Sequence, residues 1–196
     1  MGLDLERLAL LLALGEELRS RGSWAGETHI QKASYFLQEL LKVPLNFSFI
    51  LYKHGPFSFD LHDALGAMES ERLITWQPQP YPYGPTMIQG PLGSYLPGHT
   101  SMSQKYKDQI GFVAQHLASK KVVDLEKLAT ALFVTLDRSV AAQRRGEEIS
   151  YRKQHIPLPE AEQAIRSVDE IIEHAVARGL IRKVAAANSH SFQIQV

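Results

Sequence analysis

The chain has 196 residues, of which 44% are apolar and 21% charged, with Lys+Arg and Asp+Glu balanced at 21 each and no cysteine. Such a composition folds, and the length suits one good core or two small ones. It excludes disulfides, thiolate catalysis and sulfur-ligated metals, and the zero formal charge excludes a global pull toward nucleic acid or membrane.

Residues 5–14, LERLALLLAL, are shorter than a ~20-residue membrane span, carry Glu6 and Arg7, and lack a basic lead-in and a cleavage site. They predict a buried helix over residues 4–19 and, with it, a soluble cytoplasmic protein. Leu5, Leu8, Leu11, Leu12, Leu14 and Leu18 surround that helix on nearly every side, as in a helix enclosed by others. Arg21-Gly22-Ser23 ends it. In GETHIQKASYFLQELLKV, Ile30, Ala33, Ser34, Leu37, Leu40 and Leu41 fall at helical spacing and predict a second helix from about Glu27 to Lys42, stopped by Pro44. LNFSFILY, residues 45–52, reads as a short strand or an extended linker. Gly55-Pro56 signals a turn, and Ser58 is suited to cap a third helix running to about Ser70, with Leu61, Ala64, Leu65 and Met68 on one face. Leu73, Ile74 and Trp76 then begin a buried strand. A helix delivered by a tight turn and followed at once by a strand is the pattern of the third helix and wing of a winged helix-turn-helix unit.

Between Gln77 and Gly98 lie Pro78, Pro80, Pro82, Pro85, Pro91 and Pro97, with Tyr81, Tyr83 and Tyr95 among them. No regular helix tolerates that density of proline, and Met87-Ile88 suggests an elongated hairpin or wing. A second cycle follows. Tyr106, Ile110, Val113 and Leu117 mark a helix from Ser103 to about Ser119, and Asp124 is a cap for the next, which runs to about Asp137. The polar tract 138–158 predicts a short helix and a loop. Pro159 opens a long helix closed by Gly179. Leu180-Ile181 and Phe192, Ile194 and Val196 read as terminal strands joined at Asn188-Ser189. MESERLI at 68–74 and AVARGLI at 175–181 each close a helix and open a strand. The expected fold is therefore mainly α with small β-hairpins (α+β), winged-helix-like, in two loosely repeated three-helix-plus-wing units over 1–100 and 101–196. The units are either packed together or one domain.

HIQKASYF on the second helix, then YKHGPFSFDLHDAL, then the ESERLI exit resemble the bacterial YwgA-like proteins and the Panacea (SocA-like) antitoxin domain. Those families show L-x-K-x-x-Y, then Y-x-Y-G-P-[YF]-S, then a glycine-leucine-isoleucine exit. Ile30, Lys32 and Tyr35 match the first set, and Tyr52, Gly55, Pro56, Phe57 and Ser58 the second, over about residues 26–76. His54 replaces the usual aromatic before Gly-Pro, and Glu71-Arg72 replaces the exit glycine. The resemblance implies a helical, winged-helix-like, non-enzymatic module that binds a protein partner, in some relatives a toxin. Read from the residues alone, Gly55, Pro56 and Ser58 are turn and cap residues that need no ligand. Tyr35 is expected to pack its ring beneath Gly55-Pro56. Lys32, in an otherwise apolar helix, either reaches a carboxylate or extends its stem to solvent.

No phosphate loop, G-x-S-x-G, H-E-x-x-H or G-x-G-x-x-G occurs, so no catalytic residue or cofactor is assigned. His54, His62 and Asp63 form a polar group that could hold a metal but reads more simply as solvated. No metal is assigned either. Two partner classes stay open. A protein partner is favoured by the tyrosines, with Tyr52, His54, Phe57, Tyr81 and Tyr83 as candidate surface. A nucleic acid would use the basic tract Arg144, Arg145, Arg152 and Lys153 with the C-terminal wing. Against it, residues 58–71 carry Asp60, Asp63, Glu69 and Glu71 and no arginine, lysine, asparagine or glutamine. Residues 1–100 hold 7 Lys+Arg against 10 Asp+Glu, and residues 101–196 hold 14 against 11, so neither half is strongly basic.

Overall fold

The computed structural model describes residues 4–81, 83–96, 99–184 and 193–195. Helix α1 (Leu5–Ser20) is capped by Asp4, whose side chain accepts from the Arg7 N–H. Leu8 through Leu14 are all buried, which makes α1 a central helix, as its all-round leucines predict. It packs against α2 (Glu27–Tyr35), α4 (His99–Lys105) and α5 (Lys107–Leu117). Helices α6 (Val122–Leu136), α7 (Arg145–Arg152) and α8 (Leu158–Ala177) pack mutually, and buried side chains of both halves join one apolar cluster. Among the described residues, no helix is long and apolar enough to cross a membrane.

Among the described residues, three antiparallel strand pairs complete the α+β architecture. In the first, β1 (Ile50–Tyr52) pairs with β2 (Gly55–Phe57), Ile50 opposite Phe57 and Tyr52 opposite Gly55. Gly55-Pro56 therefore sits in a strand, and the tight turn is Lys53-His54. Proline is accommodated because β2 has a single neighbour. Helix α3 (Phe59–Ser70) follows, with the Ser58 hydroxyl accepting from the Leu61 N–H and with Leu61, Ala64, Leu65 and Met68 buried as their spacing predicts. Strands β3 (Ile74–Gln77) and β4 (Thr86–Gln89) form the expected hairpin across the proline-rich stretch, held to the body by the Met87 N–H donating to the Ala25 carbonyl at 3.1 Å. The last pair is β5 (Arg182–Val184) with β6 (Gln193–Gln195). The turn expected at Asn188-Ser189, and Phe192 and Val196, lie outside the described residues.

Several boundaries depart from the periodicity. The second helix is α-helical only to Tyr35 and continues as a π-turn, Phe36–Leu40, in which the Leu41 N–H donates to the Phe36 carbonyl at 3.2 Å. The helix expected from Ser103 to Ser119 is two helices broken at Tyr106, where φ is −113°. Asp124 lies in the first turn of α6 rather than at its cap, because the β-branched Val122 and Val123 already belong to the helix.

The two matched exits share one geometry. Leu73 N–H donates to Met68 O and Arg72 N–H to Glu69 O at the end of α3. Leu180 N–H donates to Ala175 O and Gly179 N–H to Val176 O at the end of α8. This double bond pattern needs a left-handed residue, Gly179 at φ 69° in one case and Arg72 at φ 58° in the other. Arg72 thus occupies a conformation that glycine would take without strain. Arg72→Gly is expected to raise stability by about 1 kcal/mol in urea denaturation, and a loss would reject the strain at this cap.

Candidate functional site

Helix α2 builds the site. Two glutamines seven residues apart grip extended backbone on either side of the β1–β2 hairpin. The Gln38 amide donates to the Phe47 carbonyl and accepts from the Phe47 N–H, both at 2.8 Å. The Gln31 amide donates to the Ser58 carbonyl at 2.9 Å and accepts from the Ser58 N–H at 3.0 Å. The hairpin is thereby fixed at both ends, against α2 by Gln31 and against the following π-turn by Gln38, and lies on α6. Gly55 (φ 82°) makes the close approach to α6 possible, because a Cβ there would sit 3.1 Å from Thr130 Oγ1 and 3.2 Å from the Glu126 carbonyl.

Between Gln31 and the hairpin lies Lys32, only 2% exposed. Its ammonium donates to the Pro56 carbonyl at 2.9 Å, so it neither meets a carboxylate directly nor reaches solvent, the two outcomes open from sequence. Tyr35 does not lie beneath Gly55-Pro56 as expected, since the Lys32 stem fills that place. Its ring stacks instead between Phe49, at 5.1 Å edge-on, and Phe133, at 6.4 Å. Compensating negative charge comes from α6. Glu126, 6% exposed, accepts from His155 at 2.9 Å and meets His54 at 3.3 Å. Lys153 is also buried and caps the hairpin turn by donating to the Tyr52 and Lys53 carbonyls.

Burial lowers Lys32 to about pH 8, with Glu126 opposing the shift and Lys153 adding to it. Between about pH 8 and 10.5 the unfolded chain holds a proton on Lys32 that the folded chain has lost, so Lys32 makes stability rise with pH through that window. Lys153, lowered by burial, acts in the same direction. Above pH 10.0 Tyr35 acts oppositely, because burial keeps its hydroxyl protonated in the folded chain after the unfolded one ionises. Urea denaturation is expected to show greater stability at about pH 9.5 than at about pH 7.5, a gain that Lys32→Met largely removes. A flat profile for the wild type would reject a buried charge at Lys32.

The outer wall of the site is aromatic. Tyr52, Phe57 and Phe59 form a triangle with ring centroids 5.1–6.0 Å apart, and His62 adjoins Phe57 at 6.3 Å. Phe59 is 51% exposed, Ile50 49% and Tyr52 44%. Beside these rings a cleft of about 280 Å³ descends past Thr28, Lys53, His54 and His62 to Gln31 and Lys32. Glu27 stands at its edge, bonded to His62 at 2.7 Å, and this contact raises the histidine's pKa.

The remaining candidate residues separate. His54 turns to Glu126 and His62 to Glu27, so the His54, His62 and Asp63 group does not converge. Among the described residues, no three His, Cys, Asp or Glu side chains are placed to hold a metal. Tyr81 is fully exposed, Tyr95 is mostly so, and Tyr83 leans on Trp24 at 5.3 Å, all away from Lys32's cleft. The basic tract is largely engaged within the fold. Arg145 is bidentate to Asp169 at 2.7 and 2.8 Å, Arg152 bridges Glu148 and Asp137, and Lys153 is buried. Arg144 stays on the surface beside Glu147. Gln31, Ile50, Phe59, Glu126 and His155 belong to the site without having been singled out by the sequence. No local signal marked Gln31, because α2 is mostly polar in sequence, with Glu27, Thr28, His29, Lys32 and Ser34 beside it, although residues 29–35 are all buried. No family model, curated protein or solved structure matches the chain.

Proposed function

We propose that the chain is a non-enzymatic module of antitoxin or adaptor type, winged-helix-like in two loosely repeated units, that binds a protein partner through the hairpin face. The observation that carries this reading is the exposed group Ile50, Tyr52 and Phe59 around the half-buried Phe57. Aromatic rings held rigidly at a surface supply large contact area at low entropic cost, and interface hot spots are built from them. Gln31 and Gln38 hold the backbone under these rings in place, which a surface acting only as a cover for the core would not require. The likeness to the Panacea and YwgA-like pattern supports the same reading, since most of its positions converge on this hairpin. A nucleic-acid partner is disfavoured by the exposed acids of α3 and the internal engagement of Arg145, Arg152 and Lys153.

Affinity capture from the native host with the full chain is expected to recover one stoichiometric protein. The Tyr52→Ala/Phe59→Ala double variant should lose it while its melting temperature changes little, because both rings are already half in water. Equal recovery by both baits, or recovery of chaperones alone, would reject the hairpin face as the binding surface.

A further inference from the structure

Resting on that reading, we propose that the cleft beside the aromatic triangle receives an Asp or Glu side chain of the protein partner. The carboxylate comes to Lys32, and an apolar neighbour lies on Phe57 and Phe59. An ammonium has three donors, and Lys32 spends one, on the Pro56 carbonyl. Buried donors ordinarily find partners, and this lysine is 98% removed from solvent yet lines an open cleft. A side chain that costs folding energy to bury as a cation, placed at the floor of a cleft with donors to spare, is organised for an incoming acceptor.

Charge gives the acceptor its sign. Lys32 and Lys53 line the cleft with Glu27, His54 and His62, and Lys153 and Glu126 act on Lys32 from outside its lining. Glu126 is already engaged by His155 and His54, and Glu27 by His62. One further negative charge balances the set. The cleft, at about 280 Å³, lies at the small end of the ~300–1,000 Å³ of ligand pockets and has room for one protruding side chain. The surroundings reject a polyanion, because a nucleic-acid backbone crossing the triangle would run onto Asp60 and Asp63 of α3. A single acid with an apolar neighbour avoids those charges and uses both halves of the surface.

The test is selection of short random peptides on the immobilised full chain, followed by binding measurements with synthetic peptides carrying acetylated and amidated ends. Enriched peptides are expected to share an Asp or Glu next to an apolar residue. Changing that acid to its amide is expected to weaken binding to the unaltered protein about tenfold or more, and Lys32→Met to have the same effect on the acidic peptide but little on the amide one. Because the first comparison leaves the protein untouched, it stands even if Lys32→Met folds poorly. Peptides that bind, depend on Phe59 and ignore the acid-to-amide change would overturn the carboxylate assignment and leave the hairpin face as a binding surface. Binding restored only by a free C-terminal carboxylate would overturn the side-chain assignment. Enrichment of nothing that depends on Phe59 would overturn both readings together.

Discussion

Tyr35→Ala is expected to cost about 3–5 kcal/mol, the range of truncating a large buried aromatic to alanine. The ring is 3% exposed and joins three parts of the chain: α2 that carries it, the extended segment through Phe49, and α6 through Phe133. Removing it opens a void that none of the three can close alone, because the π-turn that continues α2 is pinned to the extended segment by Gln38, and α2 itself to the start of α3 by Gln31. Tyr35→Phe keeps the packing and should lose far less, so the pair of variants separates ring from hydroxyl. Urea melts of both check it. A Tyr35→Ala protein with unchanged stability but lost partner binding would show that the residue serves recognition instead of the core.

The family-like pattern and the physical roles of its residues differ in an instructive way. Ser58 is the cap that residue type and spacing predict, whereas Gly55, read as a turn residue, serves a close approach to α6 from within β2, and Tyr35, expected beneath Gly55-Pro56, packs between Phe49 and Phe133. Phe57, by contrast, is half-buried at the edge of the cleft, and its exposed partner Phe59 was invisible to helical periodicity because the first residue after a cap belongs to no established face. The apolar faces of α3, α6 and α8 were legible since each is a local repeat, and both helix exits were legible since a left-handed residue and its following Leu-Ile are consecutive. What local pattern could not show is pairing across distance. Lys32 on α2 and Glu126 on α6 are brought into one electrostatic environment by folding alone. A lysine at helical spacing reads as a snorkelling stem until the helix above it is known. The same limit hid the fate of the basic tract, whose Arg145 finds Asp169 on the neighbouring helix α8.

Glu126→Gln is the substitution that most directly tests this electrostatic arrangement. Glutamine keeps the volume and can still bond His54 and His155, so the change removes charge and little else. Lys32 and Lys153 then remain buried with no carboxylate of α6 to offset them. The expected loss at neutral pH is about 2–3 kcal/mol, below the ~3–5 kcal/mol of breaking a buried contact pair because Lys32 bonds Pro56 and not the carboxylate itself. The pH dependence gives the effect its signature. Glu126 is what holds the lysine's pKa up against burial, so without it the folded-state value drops further below 10.5 and the gain in stability on raising pH grows larger and starts lower. Lys32→Met should abolish most of that gain, and Lys32→Met/Glu126→Gln should be more stable than the sum of the two single losses predicts, because the second change no longer leaves Lys32 uncompensated. Strict additivity in that double-mutant cycle would show that the two side chains do not share an environment, and the electrostatic basis of the cleft would fall with it.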